Sequence, residues 1–532
     1  MKKRGLCLMM AGIMVLGLTA CAGKQESPAT GQKGAQEGTT ARQFEENTGA
    51  ASEEGTGLKD TLTIALPVEP ATLDPFEHSN QNGFICTTLI TEPLIKKTDD
   101  GELIPWLAES WEFTDDTTLK IKLKSGVTFH DGSAMSAEDV RFTLCKLAES
   151  SFSKALFGSI DVENTKAVGD DTVEVKLLYP YAPLLEAFTT ARAGIISETI
   201  YTDMGAEAFA RQPVGTGPMK FKQWVTGDRI EFEAYENYWG EKPAFENFVA
   251  RVIVEGSSRT IELETGGVDI AFELAPADWQ RISDNPKTQL ISGNTRGISY
   301  LCLNNSLEPV KGNLKLRQAM AYGLDMTNLV QAAWQGTADV ATSYYAENIM
   351  GHKAEGPFPY DPEKAKALLA EAGYPEGIDL KYMTYESAIN QAFAEVLQNM
   401  WGKIGIRLSV EFLDLATFTE KNNAGEITMA LMTNTAALND PDPALIAWPG
   451  YRTISLRHGD DHIDELLEKG KSTYDEEERI ETYQKLQDYL WENLYTIPIA
   501  YPRGAFGARA NVANLPFYPD LTPDLTRIQF TE

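Results

Sequence analysis

The chain has 532 residues and a formal charge of −30, long enough for at least two lobes by the usual domain-size prior. So acidic a balance argues against nucleic acid, whose phosphates demand clustered Lys and Arg, and against adhesion to anionic lipid headgroups. Its plain consequence is solubility.

Lys2, Lys3 and Arg4 precede an apolar run over 6–18 that ends in Leu18-Thr19-Ala20-Cys21. The run is interrupted by Gly12 and Gly17 and is shorter than the ~20 apolar residues a spanning helix needs. It reads as a signal peptide over 1–20, with a charged start, a short apolar core and small residues at the cut. Leu-Thr-Ala-Cys resembles a lipobox, which implies that Cys21 becomes the lipid-bearing first residue of the mature chain and that the protein is lipid-anchored in the cell envelope, on the outer face of the cytoplasmic membrane or the periplasmic side. Residues 21–57 are rich in Gly, Glu, Gln, Thr and Ser and cannot bury enough apolar surface to order themselves; they are expected to be a disordered tether. Cys86, Cys145 and Cys302 lie far apart in apolar surroundings, an odd number that excludes a fully paired disulfide framework and suits buried free thiols.

The folded part opens with alternating residues at 62–66 and again at 119–123, two half-buried strands. Ser136 and Asp139 form a capping-box pattern ahead of a helix whose Val140, Leu144 and Leu147 share one face. Strands are expected at 173–177, 230–235 and 248–254, a helix at 257–264, and a strand at 296–303 followed by a helix at 314–323. The clearest helix has Asp361 as its cap, Pro362 at its first position and Gly373 as its stop. Further elements are a helix at 391–403, a strand at 406–412, a helix at 476–493 and a strand at 497–500, with a Pro-rich, aperiodic tail after Arg503. Alternating strands and helices give an α/β class.

Several segments together resemble the peptide- and nickel-type solute-binding proteins of ATP-binding-cassette importers, solute-binding protein family five. They are Ile104-Pro105-Trp106-Leu107-Ala108-Glu109-Ser110-Trp111, then Gly126-Val127-Thr128-Phe129-His130-Asp131-Gly132 with Ser136-Ala137-Glu138-Asp139-Val140, Gly215-Thr216-Gly217-Pro218, Asn237-Tyr238-Trp239, Leu316-Arg317-Gln318-Ala319 and Tyr360-Asp361-Pro362. The resemblance implies a two-lobed periplasmic-binding-protein-like fold of type II, in its large cluster C form, with mixed sheets and a hinge crossed twice, near 296–303 and 501–506. It divides the chain into a first lobe at 58–297 with an additional subdomain, a second lobe at 298–500 and a return to the first at 501–532. It further implies a monomer that captures a small solute, foremost a short peptide, between its lobes and delivers it to a permease served by an ATPase, with no cofactor and no catalysis. A sugar, an opine-like compound or a nickel chelate remains an open alternative, as does a sensory receptor without transport.

By the same resemblance the cleft is expected to involve Asn82, Gly83 and Phe84 in a loop after the first strand, Tyr300 on the strand leaving the first lobe, and Asn434 and Asp440 in the stretch Thr433-Asn434-Thr435-Ala436-Ala437-Leu438-Asn439-Asp440-Pro441-Asp442. Trp448, Tyr451 and Arg452 could supply an aromatic wall and an anion partner, and Arg192, in a small-residue stretch, is a further candidate read from the sequence itself. In related peptide binders an acid just before an Asp-Pro pair receives the peptide amine, because a buried ammonium needs a compensating charge. Ala437 falls at that position here. Asp440 is read either as its replacement or as a turn former.

The remaining motifs read as structure. His130 beside Asp131-Gly132 suits a turn, and His458 with His462 brackets Asp460 and Asp461 ahead of an amphipathic helix, too few convergent ligands for a metal. Lys469-Gly470-Lys471-Ser472-Thr473 lacks the earlier glycine of a phosphate loop, Glu465 standing in its place, and no nucleophile elbow, His-Glu-x-x-His or Cys-x-x-Cys is present.

Overall fold

The computed structural model describes residues 59–77, 81–446 and 460–531; Cys21, the tether, Trp448, Tyr451, Arg452 and His458 lie outside them. The strand Lys59–Leu66 alternates in pattern yet ends wholly buried, because it runs parallel to Phe245–Val252 on one side and to Ile270–Ala271 on the other. Parallel strands sit inside a sheet covered on both faces. Phe245–Val252 continues antiparallel to Arg229–Ala234, and that strand to Met219–Val225.

One strand joins this sheet to a second. Thr496–Arg509 pairs through its last residues, Arg503–Arg509, with Thr288–Asn294, and through its earlier ones with Gly297–Leu303 and Ala338–Val340. Gly297–Leu303 in turn carries Met429–Thr435. The chain therefore passes between the two halves twice, at Thr295-Arg296 and around Tyr501-Pro502, and each half has its own core. The architecture is two-lobed and mixed α/β, of the type II periplasmic-binding-protein kind.

The first lobe also carries a four-stranded antiparallel sheet made from Ala108–Asp115, Thr118–Leu123, Thr172–Lys176 and Lys166–Ala167. The helix Ala137–Glu149 packs on it through Val140, Leu144 and Leu147, all fully buried. Its capping box is formed as the sequence indicates: Asp139 N–H donates to Ser136 Oγ at 3.4 Å, and Ser136 N–H to Asp139 Oδ2 at 2.9 Å. In the second lobe Asp361 caps Pro362–Glu371 by accepting from Lys364 N–H at 2.9 Å. Asp460 caps Asp461–Ser472 in the same way, which gives the His462 run a structural reason. Cys86, Cys145 and Cys302 are buried, and none of them is in a disulfide among the described residues.

Two expectations need correction. Asn82, Gly83 and Phe84 belong to a helix, Gln81–Thr87, and not to a loop; it is buried along most of its length, so packing rather than capping holds it. The strand expected to end at Ala500 runs on to Arg509. Pro502, Gly504 and Gly507 hide its periodicity, and both glycines are required by neighbours. A Cβ on Gly504 would lie 2.3 Å from Leu521 Cδ2, and one on Gly507 2.5 Å from Leu263 Cδ2.

Candidate functional site

Between the lobes lies a cavity of about 670 Å³, within the range of small-molecule sites. The first lobe supplies its floor and one wall through Phe84, Glu92, Lys96, Lys97, Glu186 and Arg192, and the tail adds Tyr518, Asp520 and Asp524. The second lobe contributes Asn348 and the run from Thr435 to Asn439, and Arg296 lines the cavity from the crossing itself.

The floor is organised by Glu92, which the sequence reading missed. This buried carboxylate accepts four hydrogen bonds: Trp106 Nε1–H at 2.8 Å and the Tyr238 hydroxyl at 2.7 Å on Oε1, the Thr216 hydroxyl at 2.9 Å and Trp239 Nε1–H at 2.9 Å on Oε2. Burial raises its pKa, opposed by Tyr238, by the two indoles and by Lys96. Its acceptor sites are filled, so Glu92 holds three motif segments together and has little capacity for a solute ammonium. Gly215 and Gly217 allow this approach: a Cβ on either would lie 2.1 Å from Ile90 O or 2.5 Å from Leu89 O. His130 pins the same turn, accepting from Gly215 N–H at Nδ1 (3.3 Å) and bonding Gly217 O through Nε2 at 2.9 Å. Burial holds its pKa down at about 4.

Most charges around the cavity are already matched. Lys97 pairs with Glu186, Lys96 approaches Asp524 at 3.5 Å, and Arg296 approaches Asp520 at 3.5 Å while donating to Ala437 O at 3.0 Å. Arg192 differs. Its Nη1 donates to Phe152 O at 2.8 Å and its Cζ lies 4.9 Å from the centroid of the Phe84 ring, but among the described residues it makes no ion pair. Burial alone shifts its pKa, downward, with no carboxylate opposing. A half-buried guanidinium without a counter-charge among the described residues, one face on an aromatic ring, is suited to receive a carboxylate in bidentate fashion.

Of the residues expected at the site, Phe84 and Arg192 line the cavity; Asn82, Gly83, Tyr300, Asn434 and Asp440 do not. Tyr300 is buried in the second lobe, donating to Tyr344 O at 2.7 Å. Asn434 Nδ2–H donates to Ala444 O at 2.9 Å and so shapes the turn behind the lining. Asp440 cannot serve as a free amine-binding acid, because Arg479 holds it at 2.7 Å in a pair whose members are both buried. Ala437, where the peptide-binder acid was expected, does line the cavity. No group of three or more His, Cys, Asp or Glu able to hold a metal occurs among the described residues, and none of their helices is long and apolar enough to cross a membrane.

Residues 102–454 match the bacterial extracellular solute-binding proteins, family 5, in that family's middle region. The chain is 26% identical over 441 residues to heme-binding protein A of Haemophilus influenzae, covering 77% of this chain and 80% of the relative. It is 27% identical over 442 residues to the dipeptide-binding protein of Escherichia coli K12, covering 76% and 82%. Among solved structures, PBP AgaA from A. tumefaciens R10 in complex with agropinic acid shares 26% identity and a TM-score of 0.75, over 89% of this chain and 99% of that one.

Proposed function

This chain belongs to the bacterial extracellular solute-binding proteins of family 5, and on that premise we propose that it captures a short peptide between its lobes and delivers it to a membrane permease. The observation that carries the ligand reading is Arg192, a cavity-lining guanidinium with no ion pair among the described residues. A peptide C-terminus supplies the missing carboxylate. The cavity volume suits a di- or tripeptide, and Asp100 at the lining offers a partner for an amine. Contacts from both lobes favour the closed form, which is how a solute shifts an open–closed equilibrium. In this reading the lobes are 58–297 and 298–500 with a return at 501–532, Cys21 carries the lipid, 21–57 is the tether, and the monomer catalyses no reaction, ATP hydrolysis belonging to other subunits.

Thermal-shift and calorimetric titration with Met-Leu, with its C-terminal amide and with the Arg192→Gln variant test this. The free acid should raise Tm and bind at least tenfold more tightly than either the amide on the native protein or the acid on the variant. Peptides that leave Tm unchanged, while another solute class raises it, would defeat the peptide reading.

A second reading is favoured by Ala437: with no acid at that lining position, a small carboxylated solute lacking a free amine would need only Arg192. N-acetylated Met-Leu separates the two, since it should bind as well as the parent peptide only under the second.

A further inference from the structure

Beside the cleft lies a second buried polar cluster that takes no part in the lining. Asp442, in the short helix Pro441–Ile446, has no exposed surface, and among the described residues neither of its carboxylate oxygens has a partner within hydrogen-bond distance. Buried polar groups nearly always have one. The buried hydroxyls of Tyr345 and Tyr483 likewise have no partner within hydrogen-bond distance among the described residues, and Asp442 is near enough to raise the pKa of both phenols.

Each element around Asp442 presents a titratable group. Its own turn holds Asp440, engaged by Arg479 of the helix Glu476–Asn493, which also brings Tyr483. The helix Asp461–Ser472 contributes Lys471, whose ammonium is taken by Glu468 at 2.6 Å and lies 5.0 Å from the Tyr179 ring centroid. From the first lobe come Tyr179 and Tyr181, with Glu186 facing Asp440. The helix Lys154–Phe157, packed against Pro441–Ile446, carries the exposed Lys154.

This is a seam between lobes: Ala182 N–H donates to Lys471 O at 2.8 Å, and Leu438 is buried in the core of the first lobe's subdomain. Tyr181, from the first lobe, brings its hydroxyl close enough to the carboxyl to ease its ionisation slightly, while that hydroxyl also donates to Ala155 O at 3.4 Å. Burial first, and the charge of Asp440 second, push Asp442 up to about 7 against the weaker pulls of Lys471, Arg479 and Tyr181.

We propose that Asp442 is a proton-operated latch between the lobes, sealed as the neutral acid among Tyr181, Tyr345 and Tyr483 on closure and returned to water as the carboxylate on opening. The proton comes from solvent and goes back to it, one per closure. The proposal rests on the two-lobed capture reading but not on the identity of the solute. Since the closed-state pKa is the raised one, the proton favours closure at low pH. That contribution is lost as pH rises from the ordinary carboxyl value of 3.8 through about 7, with the closing equilibrium changing by up to about tenfold per pH unit in that window.

The test uses the full chain with a donor and an acceptor dye on Glu163→Cys and Glu376→Cys, exposed positions on the first and second lobes, and follows energy transfer from pH 5 to 8 without added solute. The closed fraction should rise as pH falls. Asp442→Asn should remove the response and be at least as closed at pH 8 as the parent at pH 5. A parent without a pH response, or a variant that keeps it, overturns the latch. Tyr181→Phe provides a second arm should Asp442→Asn not fold: losing the group that eases ionisation must move the midpoint upward, and an unmoved midpoint overturns the proposal. Because no solute is added, failure of Met-Leu to bind leaves this result standing, and the reverse holds too.

Discussion

Glu186 and Asn439 meet across the cleft: the Glu186 carboxylate accepts the Asn439 backbone N–H at 2.8 Å, joining the wall of one lobe to the lining loop of the other. The same oxygen is held by Lys97. This bond exists only when the lobes are together, so it contributes to closure and not to the fold of either lobe. Replacing Glu186 with Gln should weaken solute capture about three- to tenfold, in line with a partly exposed charge-assisted bond of about 1 kcal/mol, while the solute-free Tm stays within a degree or two. Calorimetric titration beside a melting curve checks both halves of that statement.

Glu92 should behave in the opposite manner. Removing its carboxylate leaves two indoles, a phenol and a threonine hydroxyl without their acceptor, and one unsatisfied buried group alone costs about 1–3 kcal/mol. Glu92→Ala is expected to lose about 4 kcal/mol or more of stability, and Glu92→Gln clearly less, since an amide oxygen can still accept part of the network. Urea unfolding followed by tryptophan fluorescence reports this directly, because two of the partners are Trp106 and Trp239.

His130 sets an acid limit on stability. Its folded pKa, about 4, lies below the unfolded value of 6.5, so the unfolded chain binds the extra proton between those values. The stability it contributes is complete above pH 6.5 and is lost as pH falls towards 4, amounting to about 3 kcal/mol. His130→Gln should flatten that part of the pH–stability curve, measured by chemical unfolding at half-unit steps.

The buried pair Asp440–Arg479 predicts a strongly asymmetric mutational response. Arg479→Met strands a buried carboxylate and should cost about 3–5 kcal/mol. Adding Asp440→Asn to it should restore much of the loss, because the uncompensated charge is then gone. Thermal melting of the two variants and the double variant closes the cycle.

Elements with their own local chemistry were legible without coordinates. Pro362–Glu371 carries its cap, its proline and its stop in sequence, and Ala137–Glu149 announces itself through Ser136 and Asp139. Phe84 was reachable through family resemblance, and Arg192 only as a charged residue within a stretch of small ones. Glu92 was not, because its four partners are distant in sequence and nothing adjacent marks a Glu followed by Pro93 as a hub. Asp440 misled for a related reason: Arg479 sits on a helix that opens Glu476-Glu477-Glu478 and looks like solvent-facing surface, although Arg479 itself is buried. The far half of Thr496–Arg509 was hidden because its glycines answer to Leu521 and Leu263, contacts that no alternation of polarity encodes.

The strand Thr496–Arg509 also orders events during synthesis. The first lobe's sheet begins with Lys59–Leu66 but is completed by Arg503–Arg509, so the earliest strand to emerge waits for one of the last. Pairings so far apart are slow to form, since loop-closure entropy must be met before the contacts reward it. A chain that loses its final residues would thus be left with an open sheet edge in the lobe made first, and a truncation near the C-terminus should expose the N-terminal strand to proteases before it touches the second lobe's own core.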